Sequence, residues 1–265
     1  MMLVHKIADE PITVEVETKD RGRMVLDLQD EAQFPLFYNI YEWKDTPTLV
    51  TLASGSNVIL DIGGNIGQMA MLFARFANKV YTFEPIPEKG DRLQHQINLN
   101  NLQSKVTLSR LALSERPGKL QFAMPTDDNG GIGSTVIRKD RPSRIIEVEA
   151  ETLDSFLAQN GIANVDFIKM DIEGGELFAL KGMSKLLGGV QKPIVVLEMT
   201  ISMMQAADYG PKEILDIMSG YGYECYAFEK RGLSGPHKTV NPQSENYCFL
   251  TKDHLGKDHV RKLVK

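Results

Sequence analysis

Residues 58–76 read VILDIGGNIGQMAMLFARF, and the passage changes character twice. An apolar run ends at Asp61, a turn containing Gly63, Gly64, Asn65 and Gly67 follows, and Met69, Leu72, Phe73 and Phe76 then recur at helical spacing. Strand, glycine-rich turn and helix in that order open a parallel α/β sheet. They also set backbone amides and a helix N-terminus at the carboxyl edge of the sheet, where such sheets bind ligands. The dinucleotide fingerprint G-x-G-x-x-G is absent, because Ile62 stands two places before Gly64. The pattern is D-x-G-x-x-x-G, with a carboxylate at the strand tip.

Outward from this passage the same rhythm repeats. Apolar, β-branched runs at 57–62, 79–84, 105–111, 166–171 and 193–198 predict five parallel strands separated by amphipathic stretches. Runs at 223–229 and 246–251 predict a closing antiparallel pair joined by a polar loop. Residues 119–124 and 144–150 flank a glycine-rich, charged connection at 125–143, a candidate lid or substrate loop. Before the sheet, two alternating stretches in 11–29 meet at a turn ending in Gly22 and predict a hairpin. Residues 30–56 hold Phe34, Phe37, Tyr38, Tyr41 and Trp43, a cover laid on something apolar or the contact face of a homo-oligomer. The expected division is therefore hairpin and cover at 1–56 and one α/β domain at 57–265.

Composition narrows the chemistry. The chain has 265 residues, 42% of them apolar, which suffices for a substantial core. No apolar run approaches the ~20 residues of a membrane-spanning helix, and the opening residues carry no secretory pattern, so a cytoplasmic protein without a membrane partner is expected. A formal charge of −5 has the wrong sign for binding nucleic acid, which favours a small-molecule acceptor. Asn241-Pro242-Gln243-Ser244 also lacks the Asn-Pro-Pro-aromatic pattern of enzymes that methylate bases. Cys225 and Cys248 have no partner spacing for a zinc site or a disulfide framework and read as reduced core residues.

The strand tips carry the candidate site. An ammonium beside a nucleoside calls for an anion as well as glycine amides, and Asp61 offers one; S-adenosylmethionine has such an amino-acid tail. Glu84 ends the next strand 23 residues later, near the spacing at which an acidic residue takes ribose hydroxyls, and Pro85 and Pro87 stop the strand there. Leu111 and Ala112 at the third tip suit a flat, dry ring such as adenine. At the fourth, DFIKMDIEGGE brings Lys169, Asp171 and Glu173 to the end of an otherwise buried run. Glu176 reads as an acid at a helix N-terminus, and Glu198 ends the fifth strand. These carboxylates show no recognisable ligand spacing, so no metal is assigned. His237, in the loop before the last strand, is a further candidate base.

Taken together, DIGGNIG (61–67), FEP (83–85), NLNNLQSKVTLSRLALSE (98–115), ETLDSF (151–156) and FIKMDIEGGE (167–176) resemble the FkbM-type S-adenosylmethionine-dependent methyltransferases over about residues 55–200. The resemblance implies a Rossmann-like class I sheet of seven strands, mixed, with helices on both faces. It implies a methionine pocket shaped by Asp61, Gly63 and Gly67, with Glu84 on the ribose. Asp171 and Glu173 would face cofactor and acceptor. It also implies O-methylation of a hydroxyl on a small molecule or sugar, with Asp171, Glu173 and His237 the candidate catalytic residues.

Overall fold

Alternate side chains along the central strands enter two different apolar cores, and this alternation places helices on both faces of one sheet. The computed structural model describes residues 12–30, 33–38, 44–125, 143–240 and 245–265. An N-terminal hairpin pairs β1 (Thr13–Thr18) with β2 (Gly22–Asp27). The main sheet then uses β3 (Val58–Ile62), β4 (Lys79–Phe83) and β5 (Val106–Ser109). A short β6 (Ala112–Leu113) joins β7 (Gly118–Pro125) and β8 (Ser143–Glu151) in a separate three-stranded sheet. The chain returns to the main sheet with β9 (Phe167–Met170), β10 (Ile194–Glu198), β11 (Glu224–Glu229), β12 (Gly232–His237) and β13 (Asn246–Leu250).

The order across the main sheet is β12-β11-β13-β10-β9-β3-β4-β5. From β3 the chain winds one way through β4 and β5, then crosses to build β9 and β10 on the other side, all in parallel. The crevice of an open α/β sheet lies at such a reversal, here between the tips of β3 and β9. Leu60, Ile62, Ile168, Met170, Val195 and Leu197 enter one core, roofed by Leu157, Leu180 and Met218 from helices 153–159, 176–181 and 211–220. Ile59, Val80, Phe167, Ile194 and Val196 enter the other, with Leu52, Phe73, Leu93 and Val260 from helices 46–53, 68–73, 87–99 and 258–261. Cys225 and Cys248 are buried and reduced.

The sheet has eight strands, one more than the expected seven. The extra one, β12, comes from the stretch read as a polar loop and pairs antiparallel with β11. Its sequence GLSGPH lacks the apolar alternation of a strand; Leu233, buried against the second core, and the backbone pairing with β11 hold it there. The central residues of the predicted substrate loop (126–142), with Tyr41 and Trp43, lie outside the described residues.

A lone hairpin is marginal in water, and this one is docked by side chains that imitate a strand. Gln96 and Asn100, one turn apart at the end of helix 87–99, present their amides to the free edge of β2. The Gln96 amide accepts from Val25 N at 2.9 Å and donates to Val25 O at 2.8 Å; Asn100 does the same for Arg23 N (2.9 Å) and Arg23 O (2.7 Å). Met24, Leu26 and Leu36 then pack on Ile66, in the middle of the glycine turn. Gln96→Ala leaves Val25 N without its partner and leaves Val25 O to the longer bond from Arg92 Nη2 (3.4 Å). It should cost about 1–3 kcal/mol of stability and speed hydrogen exchange at the Val25 amide while the sheet amides stay protected, a pattern that exchange measured by NMR will read.

Candidate functional site

At the β3–β9 reversal the turn must pass against backbone. Asp171 N donates to Ile62 O at 2.9 Å, and the amides of Gly63 and Gly64 both donate to Phe83 O at the tip of β4 (3.0 and 2.8 Å). Gly63 has φ +91°, and a Cβ there would lie 1.9 Å from Asp171 O; one on Gly64 would lie 2.2 Å from Thr82 Oγ1. Only glycine fits either position. Asn65 takes φ +49° and donates its amide to Glu84 Oε2 at 2.9 Å, while Ile86 N donates to Glu84 Oε1 at 2.9 Å. The two amides lock the Glu84 carboxylate and leave lone pairs on both oxygens.

Asp61 and Thr82 are register partners, as are Asp61 and Lys169, so a polar row crosses three parallel strands. Thr82 Oγ1 donates to Asp61 Oδ2 at 3.0 Å, and Lys169 Nζ lies 3.6 Å from Glu198 Oε2. Burial raises Asp61 to about 7; the Thr82 hydroxyl and Lys169 oppose the rise, and Asp171 and Glu84 add to it. Burial also raises Glu84, against the pull of Lys89 and its two amide donors. Glu173, with φ +53°, is pushed to about 7, first by burial and then by Asp171 and Glu176, with Lys89 opposing.

One cavity collects these groups. Asp61, Gly63, Gly64, Asn65, Glu84, Pro85, Leu111, Ala112, Asp171 and Glu173 all line it. Gly67 does not: with φ +102° it caps helix 68–73 behind the turn, its amide on Gly64 O. His237 is placed elsewhere. β11 does run parallel to β10, as a base on that loop requires, but β12 turns back along it. His237 therefore pairs with Cys225 at the amino end of β11, on the outermost strand and the opposite edge of the sheet, where its ring bonds to Ser234 Oγ (3.1 Å). It is not a candidate base.

Lys169 and Glu198, noted in the sequence without a role, line the cavity, and so do Gln68, Lys89 and Phe122. Lys89 had a legible signal: it sits in the first turn of helix 87–99, where the dipole disfavours a cation. Phe122 had none, since it arrives from the separate sheet. Among the described residues no group of three or more His, Cys, Asp or Glu is arranged to hold a metal ion.

The Thr82 hydroxyl is the hydrogen-bond donor that holds Asp61 down against burial. Thr82→Val should therefore raise Asp61 by about one unit or more, since such a bond is worth about 1.5–3 kcal/mol. The carboxyl resonance of Asp61, followed through pH, will measure it.

The family model for the methyltransferase FkbM domain matches residues 61–225, more than half of the chain. A hexuronic acid methyltransferase, AglP of Haloferax volcanii, is 28% identical over 171 residues, covering 64% of this chain and 65% of that protein. The 2-O-methyltransferase NoeI of Sinorhizobium fredii is 28% identical over 196 residues, covering 67% of this chain and 76% of its own. The crystal structure of a methyltransferase FkbM from Methylobacillus flagellatus superposes with a TM-score of 0.46 at 20% identity, over 74% of this chain and 44% of that one. The glycine turn, the carboxylate tips of β3, β4 and β10 and the loop after β9 all fall within the matched stretch, and the chain belongs to the FkbM family of methyltransferases.

Proposed function

We propose that the protein is an S-adenosylmethionine-dependent O-methyltransferase acting on a hydroxyl of a small molecule, with a sugar as the acceptor class. The observation that carries this reading is the pair of buried carboxylates, Asp61 and Glu84, on either side of a turn that only glycines can make. Asp61 meets an ammonium at one end of the cavity. Glu84, its carboxylate fixed by two amides, accepts from ribose hydroxyls. Leu111, Ala112 and Phe122 form an apolar wall suited to adenine. The cofactor supplies a methyl group already activated on a sulfonium, so alignment and exclusion of water are much of the protein's task.

An alcohol must still lose its proton as its oxygen bonds to carbon and the carbon–sulfur bond breaks. Glu173, facing the cavity beside Asp171, takes that proton on its carboxylate, whose affinity near neutrality suits a base at physiological pH. The hexuronic acid methyltransferase among the relatives supports a sugar acceptor, and the 2-O-methyltransferase supports transfer to oxygen.

Turnover should rise with pH through about 7, where Glu173 ionises, and Glu173→Gln should lower kcat by about 100-fold or more while cofactor affinity changes little. A labelled-methyl screen against hexuronic acids, neutral hexoses and other hydroxylated metabolites, read by mass spectrometry, tests the assignment; failure to label any would refute it. Binding gives a separate check. Because an ammonium needs ionised Asp61, which titrates near 7, calorimetric affinity for S-adenosylhomocysteine should be roughly tenfold weaker at pH 6 than at pH 8. Asp61→Asn should weaken and flatten that profile, and NAD should not bind at all.

A further inference from the structure

The loop carrying Asp171 and Glu173 is shaped by a carboxylate outside the reaction described above. Glu176 begins helix 176–181, and its side chain turns back on the residues before it. Oε1 accepts from Ile172 N and Oε2 from Gly174 N, both at 3.1 Å, and Oε2 also accepts from the Tyr209 hydroxyl at 3.0 Å. The carboxylate is buried, which raises its proton affinity, and all three donors are neutral. Amides on both sides of Glu173 thus point to one anion. Glu173 itself is held at φ +53° and Gly174 at φ +95°, consecutive left-handed residues of which the first carries a side chain that ordinarily avoids this conformation.

We propose that Glu176 and Tyr209 are positioning residues that together turn Glu173 into the cavity. Ile172 N and Gly174 N face the Glu176 carboxylate, so the side chain between them is directed to the cavity it lines. Tyr209 supplies the second point of support. It lies in the connection between helices 201–206 and 211–220, follows Asp208 at φ +61°, and packs edge-on against Phe178 (6.1 Å between centroids). The clamp therefore couples that connection to the end of β9 through one charged acceptor, whose hydrogen bonds are stronger than neutral ones.

The catalytic meaning of this clamp rests on the methyl-transfer reading, but its geometry does not, and the test separates them. Tyr209→Phe keeps the ring and the Glu176 charge and removes one bond; Glu176→Asp keeps the charge and shortens its reach. Among the described residues the charged groups acting on Glu173 are Asp171, Glu176, Lys89 and Glu245, and neither substitution replaces a charged side chain by a neutral one. In both, hydrogen exchange at the Ile172 and Gly174 amides should accelerate about tenfold or more. The Glu173 carboxyl midpoint should drop by about one unit toward an ordinary carboxylate as the loop relaxes into water. S-adenosylhomocysteine affinity should stay within about twofold, while kcat with any acceptor found in the screen falls about tenfold or more. Unchanged exchange and an unchanged Glu173 midpoint in both folded variants would overturn the inference, whatever the activity. Failure of the wild type to bind S-adenosylhomocysteine would instead count against the methyl-transfer reading, and the amide and carboxyl readouts would still decide the clamp.

Discussion

The parallel pairing of β3 with β9 at the centre of the sheet is the constraint on which the rest depends. It brings Asp171 O so close to the turn after β3 that position 63 has no room for a Cβ, and it ties Asp171 N to Ile62 O. The glycines are therefore consequences of sheet topology as much as of ligand binding. Because β4 leaves on one side of this junction and β9 on the other, their tips diverge and a crevice opens between them. The cavity carboxylates stand at the tips of β3, β4 and β10 or on the loop after β9.

Putting acids on a parallel sheet has an electrostatic consequence. Buried carboxylates resist ionisation, and this molecule moderates the cost unequally. Asp61 has a hydroxyl donor and a nearby ammonium, Glu84 has two amides and Lys89 in range, and Glu176 has two amides and a phenol. Glu173 is raised to about 7 first by its burial and then by the neighbouring acids, against Lys89. Glu84 and Glu176 are hydrogen-bonded on both oxygens, whereas Asp61 and Glu173 are both pushed to about 7. Divergent environments for like groups are the usual way a site separates binding from proton transfer.

The N-terminal hairpin belongs to the same construction. Met24 and Leu26 press on Ile66 in the glycine turn, and Asn246 Nδ2, beside Glu198 in register, donates to Asp45 at 3.0 Å. Hairpin and cover thus touch the glycine turn and the residue paired with Glu198 at once.

Much was legible from local pattern alone. The five parallel strands, the closing pair, the hairpin and the strand-tip carboxylates follow from periodicity and turn chemistry, because apolar runs, glycines and prolines act within a few residues of themselves. The family followed from motifs of the same local kind. Tertiary structure decided what depends on strand order. It carried His237 to the opposite edge by reversing β12, made a strand of GLSGPH because a sheet edge and the pocket for Leu233 were waiting, and turned Gly67 into a cap behind the cavity. It also brought Phe122 from another sheet and set Tyr209 against Glu176, 33 residues away in the chain. Sequence spacing encodes neighbours along the chain, whereas these contacts join segments that strand order and packing bring together, and no local signal records that order.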